Sequence, residues 1–276
     1  MKKSVRKIAM AVLIVVFTVS TALALRQIKD NTAGEAAYEN AMAVAMQSPA
    51  EQKREEMPAV VTAEEKAEPV SVWMPAPVED DPVLEEMKEI NLSALREINP
   101  DVVGWIRIPG TQVDYPLMQG EDNDFYLHNT WQKDANSVGS IFLEHLNSSD
   151  LTDFNTIIYG HNMKNGSMFG ELDQYAVQKF WEANPYVYIA SDDGVYRYEI
   201  FAFFQPLVDS LTYGMNPQRE DTKEKFLATA LEESWIDTGV LVSTTDRVLT
   251  LSTCSGGRYT HRYVVQARLP MVEVYQ

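Results

Sequence analysis

The chain has 276 residues, and 40 Asp and Glu against 23 Lys and Arg leave a formal charge of −17. That length suits one sizeable domain with accessory segments. The acidity excludes nucleic-acid binding, since nothing here would neutralise phosphates, and the single cysteine excludes an internal disulfide.

The first seven residues carry Lys2, Lys3, Arg6 and Lys7, and residues 8–25 form an apolar run. As a helix that run spans about 27 Å, close to the roughly 30 Å hydrocarbon core of a bilayer. It reads as a single-pass transmembrane anchor, with the basic flank (1–7) in the cytoplasm and the remainder extracellular. The rival is a cleaved signal peptide, for which Ala22-Leu23-Ala24 offers small residues. Residues 26–80 are rich in Ala, Glu and Pro and have little apolar periodicity. They are expected to form an acidic stalk, helical at first and disordered later, that holds the domain away from the bilayer. Trp73 and Met74 within it read as an incidental exposed pair.

The folded domain is expected over 81–276. Val83, Leu84, Met87, Ile90, Leu95 and Ile98 make a helical stripe that Asn99-Pro100 ends. Strand-like runs follow at 102–108, 112–118, 140–143, 155–159, 186–190 and 196–204. One strong helix is expected over 222–235, with Phe226, Leu227, Ala230, Leu231 and Trp235 on one side. Residues 249–254 then alternate with period 2 up to Cys254, and Ser255-Gly256-Gly257 breaks that strand. A last strand is expected over 262–269. The short connection makes these two strands antiparallel neighbours, with Arg262 beside Cys254. Many short strands with a few helices suggest a barrel or a sandwich carrying helical insertions. No repeat and no second domain is visible.

A lone thiol outside the cytoplasm is exposed to oxidation, so its presence at a strand end suggests use, against the alternative of a buried inert cysteine. A cysteine nucleophile needs a proton-transfer partner and a stabiliser for the oxyanion. The chain offers His128, His145, His161 and His261. His161 follows the apolar run 156–159 and Gly160, so it too should emerge at a strand end. His128 and His145 lie in polar, loop-like stretches, and His261 belongs to the loop after the cysteine. Among the arginines, Arg258 sits in the glycine loop. Arg268 shares the Arg262 face but lies about 20 Å further along. Arg262 is therefore the candidate to favour the thiolate and hold the oxyanion, against the alternative of a surface salt bridge. No His, Asp or Glu group has ligand spacing, so no metal or cofactor is expected.

Three segments together resemble the class B sortases, cysteine transpeptidases of Gram-positive bacteria. They are Asn155-Thr156-Ile157-Ile158-Tyr159-Gly160-His161-Asn162-Met163, Thr250-Leu251-Ser252-Thr253-Cys254 and Arg262-Tyr263-Val264-Val265. Residues 99–106 and the helix before the cysteine strand are similar to that family as well. The resemblance covers residue 83 to the end. It implies a mostly β fold, an eight-stranded barrel with an N-terminal helical subdomain and a helical insertion before the cysteine strand. It implies catalytic roles for His161, Cys254 and Arg262, and makes Ser252 and Tyr159 candidate substrate contacts. The implied activity is cleavage of a C-terminal sorting motif on surface proteins through a Cys thioester. Transfer to an amine of peptidoglycan or of lipid II follows. A pilin-polymerising or mainly hydrolytic enzyme, or a non-catalytic surface-binding domain, are the alternatives. The family pattern is departed from between Ser255 and His261, a short glycine-rich loop with no acid near the cysteine.

Overall fold

The computed structural model describes residues 2–47, 71–78, 80–254 and 260–275, with residues 2–9, 71–73, 254 and 273–275 described in their backbone alone. The chain opens in a long helix, α1 (Lys2–Ala45), followed by β1 (Ser71–Pro75). Two short helices come next, α2 (Pro82–Lys88) and α3 (Leu92–Ile98). Four strands follow: β2 (Val102–Arg107), β3 (Asp114–Met118), β4 (Ile141–Leu143) and β5 (Asn155–Tyr159). After α4 (Gln178–Ala183) come β6 (Tyr186–Ser191) and β7 (Gly194–Phe204). The helix α5 (Glu220–Glu233) precedes β8 (Arg247–Cys254), β9 (Arg262–Leu269) and β10 (Met271–Tyr275).

Eight strands close into a barrel in the order β2-β3-β4-β5-β8-β9-β7-β6. Closure removes the open edges that a sandwich of such short strands would leave. The barrel is therefore the architecture, and the sandwich is excluded. Trp105, Ile189, Phe203, Leu249, Leu251 and Val265 are among its buried filling. A second apolar layer lies outside the wall, where Phe226, Leu227 and Ala230 of α5 cover Phe201, Phe204, Val248 and Val264. Two residues expected on that buried face are not buried there. Leu231 is 44% exposed and Trp235, past the end of the helix, is 52% exposed. Trp235 instead meets Phe203 and Tyr263 edge-on.

The helical stripe expected from Val83 to Ile98 is interrupted. Asp81 caps α2 by accepting from the Val83 and Leu84 amides, and Asn91 caps α3 through the Ala94 amide. A side-chain acceptor at each start satisfies orphan N–H groups and makes two short helices out of one pattern.

The first part of the expected stalk is helical, and it packs on the domain instead of standing clear of it. Helix α1 continues without interruption from the apolar run to Ala45. Its side chains are exposed from Met10 to Leu25, and it is long and apolar enough to cross a membrane. Beyond that, Gly34, Tyr38, Ala41, Val44 and Ala45 are buried against the domain. These are mostly small residues, so the stripe carries little hydropathy signal although its 3.6-residue spacing packs well. Trp73 and Met74 belong to β1, which pairs antiparallel with β10. Residues 48–70, the rest of that segment, lie outside the described residues.

Candidate active site

Three adjacent strands bring the candidate residues to one rim. Strands β5 and β8 run parallel, with Tyr159 opposite Ser252 as their last pair. The Gly160 amide extends that ladder by donating to the Ser252 carbonyl at 3.3 Å. His161 and Cys254 each follow that pair by two positions. On the other side, β8 and β9 are antiparallel and Cys254 is directly opposite Arg262. Parallel and antiparallel neighbours are both spaced by about 4.8 Å, so the backbones of His161, Cys254 and Arg262 stand side by side at the same end of the barrel.

A cleft of about 370 Å³ opens there, lined by Asn123, Leu127, Phe142, Tyr159, Gly160, His161, Ser252, Thr253 and Arg262. Larger hollows of about 470 and 500 Å³ occur elsewhere. Neither is lined by the C-terminal ends of β5 and β8, so the chemistry and not the volume selects the site.

His161 is held through both its backbone and its ring. Gly160 lets Ile141 and Phe169 pack directly against the backbone beside His161, since a Cβ there would clash with Ile141 and lie 2.8 Å from Phe169. The His161 carbonyl accepts from the Phe169 amide at 2.9 Å. The ring nitrogen Nε2 lies 2.7 Å from the Leu127 carbonyl. A carbonyl only accepts, so Nε2 carries the hydrogen, and in the neutral ring Nδ1 keeps its lone pair for proton transfer. The other histidines lie elsewhere. The His128 side chain is 68% exposed, His145 pairs with Glu144, and His261 Nδ1 sits 3.0 Å from Thr260 Oγ1.

Arg262 is half-buried, its amide donates to the Pro206 carbonyl and its Nη1 donates to the His261 carbonyl at 3.0 Å. Arg268, the competitor on that face, is held at the opposite end by Glu199 and Asp246. Arg258 lies outside the described residues. Ser252 is buried, and its hydroxyl meets the Tyr213 hydroxyl at 3.0 Å.

Tyr159 forms one wall, and its hydroxyl donates to Glu144 Oε2 at 2.9 Å. Burial and the Glu144 carboxylate push its ionisation far above the ordinary tyrosine range, so it stays a neutral donor. The Asn123 amide donates to the same carboxylate oxygen at 2.6 Å. Sequence reasoning missed Asn123, Leu127, Phe142 and Tyr213. Leu127 contributes a backbone carbonyl and the others arrive from distant segments, so no local pattern marks them. Among the described residues, no three His, Cys, Asp or Glu side chains gather as a metal site requires.

The arrangement suits acyl transfer, with an imidazole, a guanidinium and the cysteine position around one cleft. Comparison with known proteins points the same way. The Sortase domain family profile matches residues 106–270. Sortase B of Listeria monocytogenes is 38% identical over 182 residues, covering 64% of this chain and 73% of the relative. The solved Staphylococcus aureus sortase B–substrate complex superposes with a TM-score of 0.62 at 30% identity, over 68% of this chain and 86% of that one. Sortase B of B. anthracis, solved in complex with AAEK1, reaches a TM-score of 0.68 at 27% identity, over 88% of this chain and 98% of that one.

Proposed function

Because the chain belongs to the sortase family, as a class B cysteine transpeptidase, we propose that Cys254, His161 and Arg262 carry its reaction. The reading has the enzyme cleave a C-terminal sorting motif on surface proteins and join them to a cell-wall amine. As the Cys254 sulfur attacks the motif's carbonyl carbon its thiol proton passes to His161, and the tetrahedral oxyanion is met by the Arg262 guanidinium. His161 gives a proton to the departing amine, leaving a thioester on Cys254. It then takes a proton from the incoming amine of peptidoglycan or lipid II, whose nitrogen forms the new amide as the thiol departs. Ser252 and Tyr159 would contact the motif within the cleft. No cofactor enters the reaction.

The observation carrying this reading is the register, Tyr159 with Ser252 and Cys254 with Arg262, which brings the end of β5 to the same rim as the β8–β9 pair. The long apolar helix supports a single-pass membrane location. Its basic flank argues for a cytoplasmic N-terminus and an extracellular catalytic domain, and residues 81–276 would be the catalytic unit.

The test is a peptide panel varying the motif (NPQTN-like, SPKTG-like, LPXTG-like), with and without an added amine, read by mass spectrometry. A thioester adduct on Cys254 and an amine-dependent ligation product are expected, and C254A should give neither. Retained cleavage by C254A would refute the assignment, and products indifferent to the amine would make the enzyme a hydrolase.

A further inference from the structure

We propose that α1, beyond its apolar run, is a working part of the catalytic cleft, with Tyr38 as the positioning residue that fixes the His161 ring through Gly139 and Leu127. The inference rests on His161 being the proton-transfer group.

The connection is short and continuous. Tyr38 is buried on α1, and its hydroxyl donates to the Gly139 carbonyl. Burial raises its ionisation far above the ordinary tyrosine range, so it remains a donor throughout the working pH range. Gly139 has a φ of +63°, and a Cβ there would lie 2.7 Å from the Leu127 carbonyl oxygen and 3.0 Å from His161 Cδ2. Its backbone therefore packs against both the imidazole and the carbonyl that holds it. Leu127 in turn accepts from His161 Nε2 at 2.7 Å. One hydrogen bond and one tight backbone contact thus separate the membrane helix from the imidazole.

Further bonds brace the same loop to α1. Asn136 Nδ2 donates to the Asp30 carbonyl at 3.0 Å, and Ser137 Oγ donates to Asp30 Oδ2 at 3.1 Å. Trp131 Nε1 donates to the Ala37 carbonyl at 2.7 Å. Gly34 faces Val138 so closely that a Cβ would lie 2.9 Å from a Val138 methyl. The segment from Trp131 to Ser140 thus rests on α1 at several points. Leu127, at its upstream side, joins it through Asn136 N–H to His128 C=O at 2.8 Å. Free of α1, Gly139 would lose its acceptor bond on one side while still pressing on the ring from the other. Catalytic geometry tolerates little of this, since a misplacement of about 1 Å costs on the order of 10²-fold.

The test uses the full-length chain in detergent micelles. Y38F removes the hydroxyl and keeps the ring, and S137A releases a second brace with no change in the core. Melting temperature, kcat, KM and the pH–rate profile are measured with a sorting-motif peptide and an amine. Y38F is expected to keep KM within about twofold and to lower kcat by about tenfold, a fraction of the cost of a full misplacement. It should also shift the limb of the pH profile that reports the imidazole. S137A should move the same two quantities in the same direction by less. A Y38F chain with wild-type kcat and pH profile overturns the inference. If Y38F fails to fold, S137A decides alone, and an unshifted profile there overturns it too. A wild-type chain that does not turn over, or an H161A chain that does, brings down the reading of the site itself, which separates the two failures.

Discussion

Among the site residues, position along a strand decides between chemically equal candidates. Arg262 and Arg268 share a strand face, yet Arg268 is neutralised by Glu199 and Asp246, whereas Arg262 lines the cleft. A guanidinium presents a planar fork that an ammonium lacks. R262K should therefore fold normally and lose roughly 10²-fold in kcat, the cost of one oxyanion donor, with a smaller effect on KM. Wild-type turnover in R262K would reduce Arg262 to a point charge. That His161, Cys254 and Arg262 stand at strand ends was legible in the sequence, because each lies beside a period-2 run that a glycine segment stops or that opens a strand. The Leu127 carbonyl was not, because every residue has one and its use depends on where the 128–140 loop comes to rest.

At the scale of elements, strand existence was readable and strand partnership less so. The runs at 155–159 and 262–269 match β5 and β9 residue for residue, since alternation is a local signal. The parallel pairing of β5 with β8 joins segments about ninety positions apart, which no short-range pattern records. The break between α2 and α3 was hidden because its cause is side-chain capping. Asp81, which caps α2, also accepts from Tyr188 and Arg197 at 2.9 Å each. Burial alone would raise its carboxyl, but those donors and the α2 amides outweigh it and hold it below the ordinary range. A carboxyl depressed on folding stabilises above its unfolded pKa, near 3.9. That stability fades as pH falls through the folded value. D81N keeps a capping oxygen and loses the charge. At pH 7 it should cost about 1–2 kcal/mol, on the low side of the roughly 1.5–3 kcal/mol for hydrogen bonds to a charged group because the amide oxygen still accepts, with the gap to wild type closing as pH falls through the folded value. Equal melting at pH 7 would mean the charge is spent on desolvation.

For the whole molecule, α1 joins what composition had divided. A segment rich in Ala and Glu reads as solvated, yet its small residues allow close approach to the domain, and Tyr38 supplies the largest buried side chain. The helix leaves its apolar run near Leu25, and the docked stripe begins at Gly34. Nine residues of helix rise about 14 Å, so the fold seats the cleft close to the end of the apolar run and not at the tip of a long tether. Truncation should therefore start to matter only where it reaches the docked part of α1. Deleting residues 1–26 removes no residue that is buried against the domain among those described and should leave the melting temperature unchanged. Deleting residues 1–47 strips Tyr38, Ala41, Val44 and Ala45 from the core. Their burial is worth about 5 kcal/mol gross, part of which the ordering of the helix offsets. At roughly 2–4 °C per kcal/mol, the longer deletion should melt about 5–10 °C lower in a calorimetric scan. Coincident melting of the two truncations would mean that α1 rests on the domain without supporting it.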